Sequence, residues 1–267
     1  MSEARINLGL RIYVTVFLIF LAAPIVIVVF VSFNASSAIL FPPRGFSLVW
    51  YKVLSGNEAI LKSAYNSLKL ASLSTLLSLG LGIPAAMSLV RYKFTGRELI
   101  QSFLLSPMTL PMIVIGLALL FFFAKTGIGL SFFSLLIGHV IITLPYVVRT
   151  VSGVYYGIGE EMEEMAMVLG AGPWRTFWYV TFPAIRPGIV AGAIFSFITS
   201  FDNVPISIFL TRTETNTLPV YIMSYLVYNF DPSVAAVSTL QLAFAMIVLW
   251  VLGKIYGLKK ISMMGGG

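Results

Sequence analysis

The 267-residue chain contains no cysteine and a single histidine, His139. Disulfide bonds and thiolate metal sites are therefore excluded, and one imidazole cannot build a His-rich metal site within this chain. Only 10% of the residues are charged, compared with about 25% in soluble globular domains. The sequence also lacks the G-x-x-x-x-G-K-[ST] pattern of a nucleotide-binding P-loop, so no ATP site or other cofactor site is expected in this chain.

Apolar residues take the place of the missing charge. They make up 58% of the chain, and the mean hydropathy is +0.96. A bilayer-spanning helix needs about 20 mostly apolar residues. Six stretches meet that requirement, at about 10–33, 67–90, 101–124, 131–151, 188–210 and 234–256. The sequence therefore predicts an all-α membrane protein with six transmembrane helices.

Prolines occur inside several of these stretches, at Pro24, Pro84, Pro107, Pro111 and Pro145. In a membrane, neighbouring helices can satisfy the backbone carbonyls that a proline leaves unpaired. The prolines therefore predict kinks within the spans rather than breaks.

The distribution of basic residues predicts the orientation. With the N-terminus placed in the cytoplasm, most of the 17 Lys and Arg residues fall on the inner side, as the positive-inside rule requires. These inner residues are Arg5, Arg11, Arg91, Lys93, Arg97, Arg149, Arg175, Arg186, Lys254, Lys259 and Lys260. Both termini are then cytoplasmic, and the net charge of +7 requires no nucleic acid partner. A transmembrane domain is expected over 1–261, followed by a disordered tail over 262–267.

The longest inner segment lies between the fourth and fifth stretches, and its first half predicts a helix. Met162, Met165, Ala166 and Leu169 recur at helical spacing on one face. Glutamates 160, 161 and 164 lie on the other side, where acidic residues suit the positive end of a helix dipole. Gly170 is expected to end this helix in a left-handed conformation.

A second short helix is expected directly afterwards. Gly172 fits its cap, and Pro173 fits the first helical position, where its missing N–H costs nothing. Trp174, Phe177 and Trp178 form an aromatic face, and Pro183 is expected to stop the helix. An amphipathic hairpin of this kind could lie on a lipid surface, but anionic lipid repels its glutamates. Residues 160–183 therefore favour a docking surface for a protein partner.

The same segment resembles the EAA loop of ABC importer permeases, which reads E-A-A-x3-G-x9-I-x-L-P. Glu164, Ala166, Gly170 and Pro183 match that pattern in register, while Met165, Val180 and Phe182 replace its other fixed residues. Further stretches resemble permeases of the polyamine-transport type, namely Arg91–Phe94, Leu144–Val147, Leu169–Trp174, Ser200–Asp202 and Thr217–Tyr221. Asn203 departs from the glutamate that often follows Phe-Asp in that family.

The resemblance implies a type I ABC importer permease of a bacterial inner membrane, with a cytoplasmic coupling helix. Its expected partners are a second related permease, usually in a heterodimer, two copies of a cytoplasmic ABC ATPase that bind ATP and Mg²⁺, and an extracytoplasmic solute-binding protein. The coupling residues that it implies are Glu164, Met165, Ala166, Gly170, Leu169, Trp174 and Pro183. The implied substrate is a polyamine or another small amine-bearing solute, with aminophosphonates, amino-acid derivatives, iron and thiamine as alternatives.

Four residues are candidates for the translocation path: Asp202, Asn203, Phe201 and His139. Asp202 falls inside the predicted fifth span, where a carboxylate is costly and usually faces a cavity or a partner. It would favour a cationic solute, or else hydrogen-bond between helices, or lie at the external end in water. His139 could line or gate the path, although an interhelical hydrogen bond is the favoured explanation for it. Phe201 could gate the path or simply pack.

Two other functional classes compete with an importer permease. A stand-alone secondary transporter or channel often shows inverted repeats and several intramembrane charges, and the sequence shows neither. An intramembrane enzyme would have to be built from one histidine, no cysteine and one mid-span aspartate. The chain is therefore expected to be a transporter subunit rather than an enzyme.

Overall fold

A computed structural model describes residues 8–39, 41–43, 45–229 and 231–256. The predicted tail over 262–267 and three of the inner basic residues, Arg5, Lys259 and Lys260, lie outside the described residues.

The described residues form helices and connecting loops, and the one β feature among them is an isolated bridge between Asn34 and Phe46. The expected all-α class is thus confirmed. In chain order the α-helices are α1 (Leu8–Ser32), α2 (Val49–Ser55), α3 (Glu58–Arg91), α4 (Arg97–Leu105), α5 (Met112–Lys125), α6 (Phe132–Tyr156), α7 (Glu161–Val168), α8 (Pro173–Thr176), α9 (Phe182–Phe201), α10 (Ser207–Leu210), α11 (Leu218–Tyr228) and α12 (Ser233–Tyr256). Short 3₁₀ turns at Ser106–Met108 and Thr213–Thr215 and a π-helical segment at Phe177–Thr181 complete the set.

The chain divides into two units, Met1–Leu61 with Ile222–Met246 and Lys62–Tyr221 with Ile247–Gly267. In the first unit, α1 is strongly apolar, and only 6% of its most apolar 18-residue stretch is buried. Such a surface suits a helix that lipid or another membrane helix covers. The Ser32 and Tyr51 hydroxyls lie 2.7 Å apart and tie α2 to the end of α1.

In the second unit, α6 and α9 pack closely along their length. A methyl group on Gly188 would come within 2.7 Å of the Thr150 carbonyl oxygen, and one on Gly192 would come within 3.0 Å of the Val147 Cα. Small residues allow this approach of two helix backbones. Ser196 continues the contact by donating to the Thr143 carbonyl at 3.0 Å.

Within the part of the chain that the structure describes, four helices are long and apolar enough to cross a membrane, namely Gly9–Ser32, Glu58–Arg91, Phe132–Tyr156 and Pro173–Phe201. A bent pair, Arg97–Met108 with Met112–Lys125, makes a fifth if it counts as one crossing. The sixth predicted stretch coincides with α12, of which Ser233–Val248 qualifies only as a shorter apolar helix. Pro24, Pro84 and Pro145 lie inside continuous helices, as predicted.

The predicted third span, 101–124, is wrong as a single kinked helix. It consists of α4 and α5, which meet at an angle of 102°. Pro111 precedes α5 with φ −59° and ψ 124°, which is an extended conformation rather than a helical one. Proline also steers the residue before it away from the α region. Pro107 lies in the 3₁₀ turn at Ser106–Met108, directly after a helical Ser106, so the span breaks at Pro111 instead of kinking there.

The predicted fifth span, 188–210, is displaced along the chain. The helix begins before Gly188 and ends at Phe201. Pro205 disfavours helical geometry just beyond that point, and the Asn203 Oδ1 accepts from the Ile206 N–H at 2.9 Å. That bond starts a separate short helix, α10.

Candidate functional site

Helix α7 opens the hairpin and ends at a left-handed glycine. Gly170 has φ +91°, a conformation that L residues with a side chain rarely adopt. The Gly170 N–H donates to the Met167 carbonyl at 2.9 Å, and the Ala171 N–H donates to the Ala166 carbonyl at 3.0 Å. These two bonds form a Schellman motif, which satisfies carbonyls at the helix end. The predicted termination at Gly170 is confirmed.

The second half of the hairpin starts as predicted but does not stop at Pro183. Gly172 caps α8, and Pro173 is its first residue. The helix then continues through the π-helical segment into α9, so the predicted stop at Pro183 is wrong. The Phe182 N–H donates to the Phe177 carbonyl, five residues back. This wider turn lies immediately before the proline, which occupies the first turn of α9, where a missing N–H is tolerated.

Four aromatic rings pack together along this part of the chain. The centroids of Trp174 and Trp178 lie 5.7 Å apart in an edge-on arrangement, and Phe177 lies 5.1 Å from Trp178. Phe182 joins Trp178 at 5.1 Å. Edge-on aromatic pairs add to the stability of apolar packing, so this row of rings stiffens the second half of the hairpin.

The hairpin presents an apolar surface with an acidic border. Met165 is 60% exposed, Leu169 87% and Trp174 72%. Met162 and Glu164 are also exposed. We call Met162, Glu164, Met165, Leu169 and Trp174 the docking surface. An exposed apolar patch with a polar rim is typical of a protein interaction site.

The remaining predicted coupling residues do not present a large apolar side chain. Ala166 is half-buried, and Gly170 and Pro183 are exposed. They belong to the turns and the packed side of the hairpin. The coupling role of all seven predicted residues stays a prediction.

Glu163, which the sequence prediction missed, lies at the centre of a buried polar cluster. Its side chain is buried, with 8% of the residue exposed. Its Oε1 accepts from the Tyr155 hydroxyl at 2.9 Å and from the Thr181 hydroxyl at 2.7 Å. Its Oε2 accepts from Arg91, the last residue of α3. The Arg91 guanidinium also pairs with Glu160 at 3.4 Å.

The cluster keeps the Glu163 carboxylate ionised. Burial by itself raises the pKa of a carboxyl group. Hydrogen bonds from Thr181, Arg91 and Tyr155, together with the positive charge of Arg91, outweigh that effect and lower the pKa of Glu163 below its usual value. A carboxylate that accepts several hydrogen bonds is strongly favoured in its charged form.

The sequence carried a partial signal for Glu163. Glu163, Ala166 and Gly170 are spaced i, i+3, i+7, so they share one side of α7. On that side Glu163 is buried and Ala166 is half-buried, while Gly170 is exposed at the turn and Met162, Met165 and Leu169 are exposed. The partners Arg91 and Thr181 are distant in sequence, so no local pattern could reveal them.

His139 is fully buried within the second unit and bridges neighbouring helices. Its Nδ1 lies 2.7 Å from the Ser200 hydroxyl, and its Nε2 lies 3.0 Å from the Ser207 hydroxyl. Ser74 of α3 donates to Ser200 at 2.9 Å. Both ring nitrogens are thus engaged in interhelical hydrogen bonds. A role for His139 in a path stays a prediction.

The other three path candidates surround the end of α9. Asp202 is exposed and lies just beyond the last helical residue, not inside the span. Asn203 is buried, and its Nδ2 reaches the Met112 sulfur at 3.4 Å. Phe201 stacks on Phe197 with the ring centroids 5.7 Å apart. These three residues are consecutive in the chain. His139 belongs to the adjoining hydrogen-bonded group of His139, Ser74, Ser200 and Ser207, which we call the serine cluster.

Among the side chains that the structure describes, no group of three or more His, Asp or Glu residues is placed to hold a metal ion.

Comparison with known proteins identifies the family. The model of the binding-protein-dependent transport system inner membrane component matches residues 78–257. The chain belongs to this family. It is the permease component of a binding-protein-dependent ABC importer. The matched region begins within α3 and includes the whole hairpin.

Relatives of this permease share most of its length. It is 33% identical over 237 residues to the spermidine/putrescine transport system permease protein PotC of Escherichia coli K12, covering 89% of both chains. It is 30% identical over 236 residues to the putrescine transport system permease protein PotI of the same organism, covering 86% of this chain and 84% of PotI.

The fold of the permease also matches a solved transporter structure. A chain in the crystal structure of a bacterial alginate ABC transporter, in complex with an alginate pentasaccharide-bound periplasmic protein, superimposes with a TM-score of 0.71. The match covers 93% of this chain and 92% of that chain at 17% identity. At this identity the likeness establishes the ABC permease fold alone.

Proposed function

We propose that this permease imports polyamines and that its hairpin couples the import to a partner ABC ATPase. The observation that carries the coupling role is the docking surface, in which Met165, Leu169 and Trp174 are largely exposed on a short, stiff, capped hairpin. Aromatic and methionine side chains of this kind are enriched at the centres of protein interfaces. Glu164 borders the surface and can form a charge-assisted hydrogen bond with a basic residue of the partner, worth roughly 1.5–3 kcal/mol.

The proposed complex contains two permeases, two ATPase subunits and an extracytoplasmic solute-binding protein. The related alginate transporter was solved with a periplasmic binding protein, which supports the last of these partners. A groove of about 550 Å³ lined by α6, α9 and Met108 supports a second permease or lipid as a neighbour, because its lining is mostly apolar, with Tyr146, Arg149 and Thr150 as the side chains that carry polar groups. ATP and Mg²⁺ would bind to the ATPase subunits.

The proposed topology has six crossings in a bacterial inner membrane, with both termini and the hairpin in the cytoplasm. The bent pair α4–α5 would supply the third crossing, and α12 the sixth. Basic residues at the hairpin end of the second unit, such as Arg91, Arg97 and Arg175, support this orientation.

A polyamine is the proposed solute because PotC is named as a spermidine/putrescine permease and PotI as a putrescine permease. Asp202 supports the proposal, since an exposed carboxylate at the end of α9 attracts a cation. Three further path residues are proposed. Phe201 and Asn203 lie at the end of α9, and His139 lies in the adjoining serine cluster.

The coupling proposal is tested by co-purification. The permease, expressed with its ATPase, is isolated as wild type and as Trp174→Ala and Met165→Ala. Truncating a central interface anchor commonly costs 2 kcal/mol or more, so we expect about a 30-fold loss of ATPase affinity for Trp174→Ala. Phe121→Ala is the control, because Phe121 is 66% exposed on α5 and lies outside the hairpin. Equal ATPase recovery from all four proteins would reject the proposed docking surface.

The substrate proposal is tested in liposomes that contain the full complex and its binding protein. ATP-dependent uptake of labelled spermidine and putrescine is measured alone and in competition with unlabelled spermidine, unlabelled putrescine, thiamine, an amino acid or an aminophosphonate. We expect competition by polyamines only. Uptake without any ATPase subunit would instead indicate a stand-alone transporter.

A further inference from the structure

We propose that Glu163 is a positioning residue that fastens the hairpin to α3 and α6, so that a displacement of the docking surface moves both helices. This inference rests on the proposed coupling function and names the internal attachment that such coupling needs. Glu163 does not belong to the docking surface, because its side chain is buried within the permease.

One carboxylate joins three separate parts of the second unit. Arg91 brings the C-terminal end of α3, Tyr155 brings the C-terminal end of α6, and Thr181 brings the π-helical segment that leads into α9. Both carboxylate oxygens are used, and each partner donates a hydrogen bond to the charged form. Bonds to an ionised acceptor are about twice as strong as neutral ones.

Arg91 is itself fixed on several sides. Its guanidinium pairs with Glu160 at 3.4 Å and lies 5.6 Å from the centroid of the Tyr155 ring. Glu160 immediately precedes α7, and Glu163 lies within its first turn. The last residue of α3 thus holds two points of the hairpin helix, which restricts rotation of α7 about its own axis.

The hairpin helix α7 is attached to the rest of the second unit mainly through Glu163. Among the acidic side chains that the structure describes, Glu163 alone is buried. The residues around it on α7 are exposed, including Glu161, Glu164 and Val168. Energetic coupling between distant sites needs a physical connection with a defined arrangement. The Glu163 cluster is such a connection between the docking surface and two long helices.

The test compares Glu163→Gln with Glu161→Gln in the reconstituted complex. Both variants remove one negative charge from the same turn of α7, but Glu161 is exposed. Three quantities are measured: ATPase recovered with the permease, ATP hydrolysed in the presence of loaded binding protein, and solute imported per ATP. Coupling energies between sites usually correspond to roughly 5- to 150-fold effects. We therefore expect solute per ATP to fall at least about fivefold in Glu163→Gln and to stay at the wild-type value in Glu161→Gln.

The readouts separate this inference from the proposed function. Normal ATPase recovery with a reduced transport ratio supports the positioning role. An unchanged ratio overturns it, and so does a parallel fall of recovery, hydrolysis and import, which would indicate a purely structural role. If the wild-type permease recovered no ATPase at all, the proposed function itself would fail.

Milder variants keep the inference testable if Glu163→Gln does not fold. Tyr155→Phe removes one hydroxyl donor and keeps the ring near Arg91, and Thr181→Val removes the other hydroxyl. Each should lower solute per ATP in the same direction as Glu163→Gln but by a smaller factor. A wild-type ratio in both variants would overturn the role of the cluster.

Discussion

Glu163 and Glu164 are consecutive residues whose carboxylates lie in opposite environments. The carboxylate of Glu163 is buried and accepts hydrogen bonds from Arg91, Tyr155 and Thr181, whereas Glu164 is exposed on the docking surface. A rotation of about 100° between consecutive helical residues accounts for the difference. One acidic pair can therefore serve an internal contact and an external one.

The lowered pKa of Glu163 predicts a pH dependence of stability. A carboxyl whose folded pKa lies below its ordinary value of 4.5 stabilises the protein above that value, and the contribution is lost as pH falls through the folded pKa. The melting temperature of wild type in detergent should exceed that of Glu163→Gln by a constant amount between about pH 5 and 8. Losing the charged hydrogen bonds corresponds to roughly 1–3 kcal/mol.

The two melting temperatures should begin to converge below about pH 4.5 and should meet once the pH lies below the folded pKa, where Glu163 is protonated and uncharged like glutamine. The Glu161→Gln variant serves as the reference for general charge effects. A difference between wild type and Glu163→Gln that persisted unchanged to pH 3 would contradict the assigned ionisation.

Substitution of Gly170 tests the shape of the hairpin. A Cβ at Gly170 would meet nothing within 4 Å, so its cost comes from the left-handed backbone alone. Gly170→Ala should destabilise the turn by about 1–2 kcal/mol and reduce solute-stimulated ATP hydrolysis, and Gly170→Leu should reduce it for the same reason. Gly172→Ala is the matched control, since Gly172 has φ −68° and equally open surroundings. Equal effects of Gly170→Ala and Gly172→Ala would rule out the backbone explanation.

Much of the hairpin could be predicted from the sequence because its signals are local. Helical spacing, Gly170, Gly172 and Pro173 all act within one or two turns, and each was found where it was expected. Pro183 was misjudged because the π-helical segment before it has no clear sequence signature. The Glu163 cluster was missed because Arg91 lies in another helix of the chain.

In the membrane spans, too, local features were predicted and features that depend on distant contacts or exact backbone geometry were missed. Hydropathy placed the first, second and fourth stretches within long apolar helices, since it depends on composition alone, but it displaced the fifth. It could not distinguish a kink at Pro111 from the 102° break that the structure shows. Gly188, Gly192 and Ser196 recur every four residues, and this small-residue pattern indicated a close helix contact that the sequence prediction did not use.

The contact between α6 and α9 predicts an asymmetric response to small substitutions. Gly188→Ala would place a methyl group 2.7 Å from the Thr150 carbonyl oxygen and 3.0 Å from the Val151 Cα, and neither backbone atom can move easily. Overpacking of this kind typically costs 1–3 kcal/mol, so the melting temperature should fall by several degrees. Gly153→Ala on α6 is the control, because nothing lies within 4 Å of its added methyl group. An unaltered melting temperature in Gly188→Ala would contradict the close packing.

His139 is expected to stabilise the fold through its hydrogen bonds with Ser200 and Ser207. His139→Leu removes the imidazole partner of two buried hydroxyls, and because Ser200 keeps its bond from Ser74, the cost of roughly 1–3 kcal/mol for an unsatisfied group applies mainly to Ser207. The double variant His139→Leu with Ser207→Ala should be less destabilised than the sum of the two single variants, because they remove the same bond. Strict additivity in thermal unfolding would contradict the hydrogen bond. A changed KM for solute in these variants would support the proposed path role of His139.

The continuity of α8, the π-helical segment and α9 has a mechanical consequence. Together they form one helix of 29 residues from Pro173 to Phe201, which at about 1.5 Å per residue measures roughly 43 Å. Trp174 lies in the first turn of this helix, and Asp202 follows its last residue. A displacement of Trp174 is therefore transmitted toward Asp202 through helical residues only, with no intervening loop.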